Sequence, residues 1–364
     1  MILNAVQDLT FSGREATEFI LEPAYNRPDI SSIMTIHTGI KARMEVAYAG
    51  QLRKVTKKDP GCRSTPSLSK IPTSSAVWEP QALEMWVAQC YKDLERTFLA
   101  WGLAAGYKRP QLDLAVVTVT DAEGNTREVN LWTEFTLSKM QEAAADDFLR
   151  IVWFSDLNVV AGQLSATASV TDYNQVNGFF KRIFAAAAVV RKYTIAGNAA
   201  TTKATQVLAE YESVKILRAL VDGADPRLTS MPNQVILVTQ SIYNDWTAFR
   251  ESKNLETSFG FQLNGDGTRG QVLASTTNYR GIPVIPMNVW DRTIREDYDN
   301  GTKYDLPHRA ILSTVDNLAA GMDAEEGVTE FESWYERKDK EMNMRGNYML
   351  DTQLVHSYLV AAAY

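Results

Sequence analysis

The residues best suited to chemistry in this sequence do not form a recognisable catalytic or cofactor motif. Gly265, Gly267 and Gly270 fit the pattern GxGxxG, but a dinucleotide site requires a strand before these glycines and a helix after them. The residues that follow, QVLAS at 271–275, have the composition of a strand. The pattern therefore predicts a hairpin turn. Its tip residues are Asn264, Gly265, Asp266 and Gly267.

The histidines and cysteines offer no alternative site. His37, His308 and His356 lack metal-ligand spacing, and the sequence contains neither HExxH nor the GxSxG nucleophile motif. Cys62 and Cys90 are too few for a disulfide framework, so we expect free thiols in a reducing compartment. We accordingly expect no catalytic residue, no metal ion and no cofactor.

Carboxylates lie close together before Gly301, at Glu296, Asp297 and Asp299. Such oxygen atoms could bind calcium, but the residue order of an EF-hand loop is absent. We interpret the cluster as a solvated acidic loop.

The clearest charge signal is a basic segment, residues 51–75, with the sequence QLRKVTKKDPGCRSTPSLSKIPTSS. Asp59 is its only acid, and its prolines and scattered aliphatic residues cannot form a core. The cations, which we take as candidate contacts between subunits, are Arg53, Lys54, Lys57, Lys58, Arg63 and Lys70. One interpretation is a solvated loop. The other is a flap that binds an acidic surface, most simply on another copy of the chain.

The composition limits the possible functions. The chain has 364 residues and a net charge of -7, with 45% hydrophobic and 22% charged residues. This allows one large or two medium globular domains, and the acidic balance excludes a protein that coats DNA. No secretory signal opens the sequence, and the longest apolar run, 183–190, is too short to span a bilayer. We therefore expect a protein that folds or assembles in the cytoplasm.

One long helix organises the predicted fold. An apolar stripe at helical spacing predicts it over about residues 134–151. The stripe consists of Leu137, Met140, Ala144, Phe148 and Ile151. Ser138 and Gln141 have the form of a capping box near its start, and a short apolar run, 151–154, follows it.

The other elements are predicted from periodicity and turn residues. A second helix is predicted from Pro80 onward, and its buried face consists of Leu83, Trp86, Cys90, Leu94 and Phe98. The best amphipathic pattern predicts a further helix over 201–222. Predicted strands cover 41–48, 114–120, 127–132, 235–238, 279–284, 310–314 and parts of 328–364, and a helix starts at Ser241.

The order of these pieces resembles the major capsid proteins of tailed bacteriophages, which have the Hong Kong 97-type fold. The resemblance rests on the long helix ending in RIVWFSD, the strand and helix QVILVTQSIYNDWTAFR, the strand YRGIPVIP and the tail ending in LVHSYLVAAAY. Four motifs are more closely similar to capsid proteins of Bacteroidetes-infecting, crAss-like phages. They are GCRSTPS, VWEP, RIVWFSD and NGFFKRI. The match covers most of the chain from about Ile40, although RIVWFSD lacks a glycine before its aspartate.

The resemblance implies an α+β chain with four parts. These are an N-terminal arm (1–39), an extension loop (40–77), a peripheral domain (78–165 and 306–364) with the long helix as its spine, and an axial domain (166–305). Copies of the chain would form pentamers and hexamers of an icosahedral shell.

The resemblance also implies a set of partners and a location. The shell would enclose double-stranded DNA without sequence-specific binding, and portal, scaffolding and decoration proteins would be further partners, with no membrane. Assembly is expected in the bacterial cytoplasm, and the final location is the virion capsid. Since no charged helical segment precedes the arm, we expect scaffolding to be a separate protein.

Two other functions stay open at this point. An encapsulin-like compartment shell would share the fold and enclose protein cargo instead of DNA. An enzyme with an α/β axial region would fit the length of the chain, but no constellation of catalytic residues supports it.

Overall fold

The structure is a computed structural model that describes residues 9–12, 28–40, 42–49, 56, 73–104, 116–120, 126–185, 190–253, 277–323, 330–336 and 338–364. Its strands are β1 Leu9–Ser12, β2 Thr35–His37, β3 Met44–Ala49, β4 Thr73–Trp78, β5 Gln81–Cys90, β6 Val116–Thr120, β7 Thr126–Asn130, β8 Arg191–Tyr193, β9 Gln234–Val238, β10 Thr277–Tyr279, β11 Ile282–Pro286, β12 Ala310–Thr314, β13 Leu318–Met322, β14 Glu330–Glu336, β15 Glu341–Leu354 and β16 Ala361–Ala363. Its helices are α1 Pro28–Ser31, α2 Tyr91–Ala104, α3 Leu131–Phe154, α4 Phe179–Phe184, α5 Glu212–Gly223, α6 Gln240–Ser252 and α7 Asn288–Glu296. None of these helices combines the length and apolarity needed to cross a membrane.

Helix α3 is the predicted spine helix, and it is longer than the sequence pattern indicated. It has 24 residues, so it is about 36 Å long at 1.5 Å per residue. Of the predicted stripe, the side chains that the structure describes are all buried, namely Met140, Ala144, Phe148 and Ile151. The run 151–154 is the last turn of this helix and not a separate element. Trp153 at its centre is fully buried against Phe179, Phe180 and Trp290.

The capping box predicted at Ser138 and Gln141 is wrong, because the helix begins at Leu131, directly after β7. Ser138 lies inside the helix, where its hydroxyl donates to the Phe135 carbonyl at 3.0 Å. At the other end, the Asp156 N–H leaves the helical pattern and donates to a carbonyl of the following loop at 2.7 Å. The helix therefore ends at Phe154, inside RIVWFSD and three residues after the predicted end at 151.

A six-stranded sheet, the first sheet, packs against the spine helix. Its order is β1-β14-β15-β13-β2, and β5 also pairs with β15. Strand β5 corrects a prediction, because residues 81–90 pair one by one with β15 and helical structure starts only at Tyr91. Met85 of β5 packs against Ala144 and Ala145 of the spine helix. Its neighbour Trp86 points to the opposite face, as alternation along a strand requires.

A second sheet has the order β10-β11-β9-β12-β16-β8. Val235 and Leu237 of β9 face the core that contains the end of α3, while Ile236 and Val238 face α5 and α6. Both faces of this strand are buried, which explains its continuous run of aliphatic residues. Strands β12 and β16 belong to this sheet, although both come after residue 305, where the axial domain was predicted to end.

The helix predicted over 201–222 is shorter than its pattern. It begins at Glu212, and residues 201–210 form turns and coil. Asp245 of α6 accepts the backbone N–H groups of Tyr211 and Ser213 at 2.8 and 2.9 Å. A carboxylate from another helix therefore fixes the start of α5, where the helix dipole favours negative charge.

The strand predicted over 279–284 is instead a hairpin of β10 and β11. Arg280 and Gly281 form its turn with φ angles of 51° and 85°, and glycine adopts the second without a steric cost. The strands predicted near 41–48, 235–238 and 310–314 are confirmed as β3, β9 and β12. The hairpin predicted from 114–132 is confirmed as β6 and β7, and the strands of the tail as β14, β15 and β16.

Strands β3 and β4 form an antiparallel hairpin, and the cations of the basic segment, at 53–70, lie between the two strands in the sequence. Their register runs from Met44 opposite Trp78 to Ala49 opposite Thr73. Trp78 is fully buried, and a Cβ atom on Gly321 would lie 2.7 Å from its ring. The position therefore has no room for a larger residue, and the hairpin leaves the body from a closely packed anchor.

Candidate functional site: an assembly surface

The predicted contact residues lie outside the part of the chain that the structure describes. They are the basic residues Arg53, Lys54, Lys57, Lys58, Arg63 and Lys70 and the loop residues Asn264, Gly265, Asp266 and Gly267. The structure does describe the elements on either side of each group. These are β3 and β4 for the basic segment, and α6 and the edge strand β10 for the loop.

One face of the first sheet is turned away from the spine helix. Trp86 of β5, Arg345 of β15 and Glu332 of β14 stand opposite one another, so they share this face. Trp86 is 61% exposed, although its indole N–H donates to Asn343 Oδ1 at 3.1 Å. Arg345 pairs with Glu84 at 2.6 Å, and its guanidinium carbon lies 5.9 Å from the centre of the Trp86 ring.

We call this surface the acidic face. Its members are Glu84, Trp86, Glu332, Trp334, Glu336, Glu341, Asn343 and Arg345. Four of them are carboxylates and Arg345 is the cation, while Lys338 and Lys340 lie in the turn at the rim. An exposed tryptophan among polar residues is typical of a protein contact surface. The charge of this face is opposite to that of the basic segment.

Sequence reasoning missed the acidic face because it placed residues 81–90 in a helix with Trp86 on the buried side. That placement of Trp86 is wrong. The usable signal was the alternation of Leu83, Met85 and Val87 with other residues, which is the period of a half-buried strand.

A partly buried polar network lies at the base of the β3–β4 hairpin. Asp351 is 3% exposed, and its Oδ2 accepts the Glu79 backbone N–H at 2.8 Å while its Oδ1 accepts Arg182 Nη2 at 3.1 Å. Gln353 accepts from Arg182 Nη1 at 2.9 Å and donates to the Val77 carbonyl at 3.1 Å. Burial lowers the pKa of the Arg182 guanidinium, and the charge of Asp351 opposes this effect. The network connects helix α4, strand β15 and the end of the hairpin.

His308 and Ser241 form the arrangement that most resembles a catalytic pair. His308 Nδ1 lies 2.7 Å from Ser241 Oγ, and its Nε2 lies 3.3 Å from the Gln206 carbonyl oxygen. Both side chains line a cavity of about 360 Å³, and burial lowers the pKa of the imidazole. A backbone carbonyl occupies the position where a catalytic triad has a carboxylate. Asn198 also bonds both the N–H and the carbonyl of His308, so the histidine ties three segments together.

A second cavity, of about 450 Å³, lies between the end of α3 and helix α4. The guanidinium of Arg309 packs 5.3 Å from the Phe154 ring centre and 4.4 Å from that of Phe180. Lys181, also in the lining, pairs with Asp156 at 2.7 Å. The cations of this cavity have partners within the chain and give no separate sign of a ligand.

Two carboxylates of the predicted acidic loop have structural partners. Asp297 accepts a hydrogen bond from the Tyr173 hydroxyl. Asp299 pairs with Lys203 at 2.5 Å and accepts the Gly301 N–H at 2.8 Å. Within the described ranges, no three acidic, histidine or cysteine side chains are placed to hold a metal ion.

Solved structures that are similar to this chain include two from phages and one encapsulin. A chain of the satellite phage P4 procapsid is similar over 94% of this chain and 95% of its own length, with a TM-score of 0.53 and 10% identity. A chain of the cyanophage A-1(L) capsid is similar over 92% of each chain, with a TM-score of 0.44 and 10% identity. The SrpI encapsulin of Synechococcus elongatus is similar over 91% of this chain and 84% of its own, with a TM-score of 0.40 and 10% identity.

No family model and no curated protein sequence matches this chain. The likeness to the P4 procapsid chain shows that this α+β chain has the Hong Kong 97-type capsid fold. The fold prediction is therefore confirmed.

Proposed function

We propose that this chain is the structural subunit of an icosahedral capsid that encloses double-stranded DNA in a tailed bacteriophage. The observation that carries the proposal is the capsid fold, which extends over 94% of the chain. The sheet face with an exposed tryptophan and four carboxylates supports it, because a subunit that joins copies of itself needs such a surface. The proposed role is structural and requires no catalytic residue.

In this proposal the chain has the four parts of a capsid subunit. Residues 1–39 form the arm, 40–77 the extension loop, and 78–165 with most of 306–364 the peripheral domain around α3. Residues 166–305 form the axial domain, and β12 and β16 join it because they pair within the second sheet. The loop that contains Asn264 to Gly267 would then lie at the centre of a pentamer or hexamer.

The contact that we propose between neighbours joins the basic segment of one copy to the acidic face of the next. The two surfaces differ, so each contact leaves the acidic face of the first copy and the basic segment of the second copy free to bind further copies. Such an assembly stops growing only when it closes into a ring. One exposed ion pair contributes only about 0.2–1 kcal/mol. Repetition over the many copies of a shell makes such small contributions decisive.

The proposal extends to partners and location. Portal, scaffolding and decoration proteins would complete a capsid that assembles in the bacterial cytoplasm. The motifs GCRSTPS, VWEP, RIVWFSD and NGFFKRI support an origin in a Bacteroidetes-infecting, crAss-like phage.

Electron microscopy of the purified chain, combined with light scattering, tests the proposed function. We expect rings or closed shells at high protein concentration and moderate salt. A monodisperse monomer under these conditions would contradict the proposal. Particles isolated with protein cargo and no DNA would instead favour an encapsulin-like compartment.

A further inference from the structure

We propose that Asp351 is a positioning residue that sets the direction of the β3–β4 hairpin, and hence of the basic segment, relative to the body of the subunit. One buried carboxylate binds two different parts of the molecule. Its Oδ2 holds the Glu79 N–H, directly after the last residue of β4, and its Oδ1 holds the Arg182 guanidinium of α4. The importance of this direction for assembly rests on the proposed function, whereas the contact itself does not.

The chemistry of the site favours a carboxylate. Arg182 is largely removed from water, and an uncompensated buried guanidinium is strongly unfavourable. The remaining acceptor capacity of Asp351 is used by the Thr352 N–H at 2.8 Å. An amide of the same shape would present only one acceptor oxygen and no charge, so it could not hold Glu79 and Arg182 in the same way.

The hairpin is also held at its last turn by Gln353. Its amide donates to the Val77 carbonyl, and its oxygen accepts from the same guanidinium of Arg182. Asp351 and Gln353 therefore connect the backbone on either side of Trp78, at Val77 and Glu79, to the guanidinium of Arg182. A change in the position of Arg182 would be transmitted to the hairpin through these two side chains.

Geometry makes the hairpin sensitive to small changes at this base. Strand β4 has six residues, which is about 20 Å at about 3.3 Å per residue. A rotation of about 15° at the base would therefore move the far end of β4 by about 5 Å, more than the length of a hydrogen bond. The basic segment starts from that end, so its cations would miss partners on a neighbouring copy.

The test compares Asp351→Asn with the double variant Asp351→Leu/Arg182→Met. Replacing a buried ion pair by apolar residues commonly restores stability, but leucine cannot accept the Glu79 N–H. Asp225→Asn, which breaks a distant aspartate–arginine pair with Arg227, serves as the control. The measurements are hydrogen exchange of the β3–β4 amides in the isolated subunit, thermal unfolding and shell formation.

We expect Asp351→Asn to speed exchange of the hairpin amides at least tenfold, with the β9 amides unchanged, and to reduce shell formation. The double variant should recover its unfolding temperature while hairpin exchange stays fast and assembly stays impaired. Parent-like hairpin exchange in Asp351→Asn, or full recovery of hairpin exchange in the double variant, would overturn the proposal. If the parent chain forms no shells, the proposed function fails, and the exchange data still decide the role of Asp351.

Discussion

A single glycine holds the end of the spine helix against helix α4. The Gly178 N–H donates to the Ser155 carbonyl at 2.7 Å. A Cβ atom at this position would lie 2.9 Å from the Val152 carbonyl oxygen and 3.0 Å from that of Ser155. Both neighbours are backbone atoms, one in the last helical turn and one directly after it, so they cannot move aside as a flexible side chain would.

We expect Gly178→Ala to lower the free energy of unfolding by about 1–3 kcal/mol, the usual cost of forcing extra atoms into a packed site. Chemical denaturation measures the change. Gly162→Ala is the matched control, because its Cβ would meet nothing within 4 Å, and it should stay within about 0.5 kcal/mol of the parent. Equal unfolding free energies of the two variants would contradict the prediction that residue 178 has no space for a Cβ atom.

Substitution of Trp86 should affect association between copies much more than the stability of the subunit. Because it is 61% exposed, we expect Trp86→Ala to change the unfolding free energy by less than about 1 kcal/mol. Its loss should nevertheless weaken association, since aromatic residues contribute much of the binding energy at protein contacts. Light scattering against protein concentration measures this effect. Val207→Ala, which truncates a side chain 65% exposed on another surface, should assemble like the parent, and equal assembly of both variants would remove Trp86 from the contact.

Among the elements, the segment that leads into β12 is held by His308, which bonds to Ser241, Gln206 and Asn198. Burial lowers the folded-state pKa of His308, whereas an unfolded histidine titrates near pH 6.5. As the pH falls through this value, the unfolded chain binds a proton that the folded chain does not, so stability decreases. The loss continues until the pH falls below the folded pKa.

His308→Gln should therefore reduce the decrease in unfolding free energy between about pH 7 and pH 5. Urea unfolding at several pH values measures it, with His37→Gln as the control for the substitution itself. His356 has a pKa lowered by burial as well, so some pH dependence with the same sign should persist. A parent-like pH profile in the His308 variant would contradict this account.

Elements with an unambiguous local sequence signal were predicted correctly, whereas elements that depend on pairing with distant residues were not. Strand β9 and helix α6 could be predicted, because the buried run 235–238 and the helical spacing that follows are local signals. Strand β5 was wrongly predicted as a helix. Its alternation of Leu83, Met85 and Val87 is a local strand signal, but the pairing that decides between strand and helix is with β15, more than 250 residues later. The same distance explains why the acidic face was missed. It exists only after β5, β15 and β14 have paired.

The start of α5 and the hairpin network also depend on contacts between residues that are distant in the sequence. Helical spacing in 201–210 was overridden, because Asp245 from another helix fixes the start of α5. The Asp351 network joins residues 77–79, 182 and 351–353, which no local pattern connects. The basic segment, by contrast, was visible from charge alone, because charge is a property of the sequence itself.

The whole molecule carries a basic segment and an acidic face on a chain with a net charge of -7. A cationic segment is not required for the solubility of an anionic protein, whereas attraction between copies does require complementary surfaces. Raised salt should weaken this attraction, because the screening length falls from about 10 Å at 0.1 M to about 3 Å at 1 M. Subunit folding, which depends on the buried clusters, should be much less sensitive.

Sedimentation velocity of charge-reversed chains tests most directly whether these surfaces join the copies. The parent should sediment as large particles, and Lys54→Glu/Lys57→Glu/Lys58→Glu should sediment mainly at the 40.7 kDa subunit mass with nearly unchanged thermal unfolding. Adding Glu332→Lys/Glu336→Lys/Glu341→Lys to the same chain should restore particles, because the two surfaces are again opposite in charge. Particles formed equally well by the parent and the first triple variant, or a parent that stays at the subunit mass, would contradict the account.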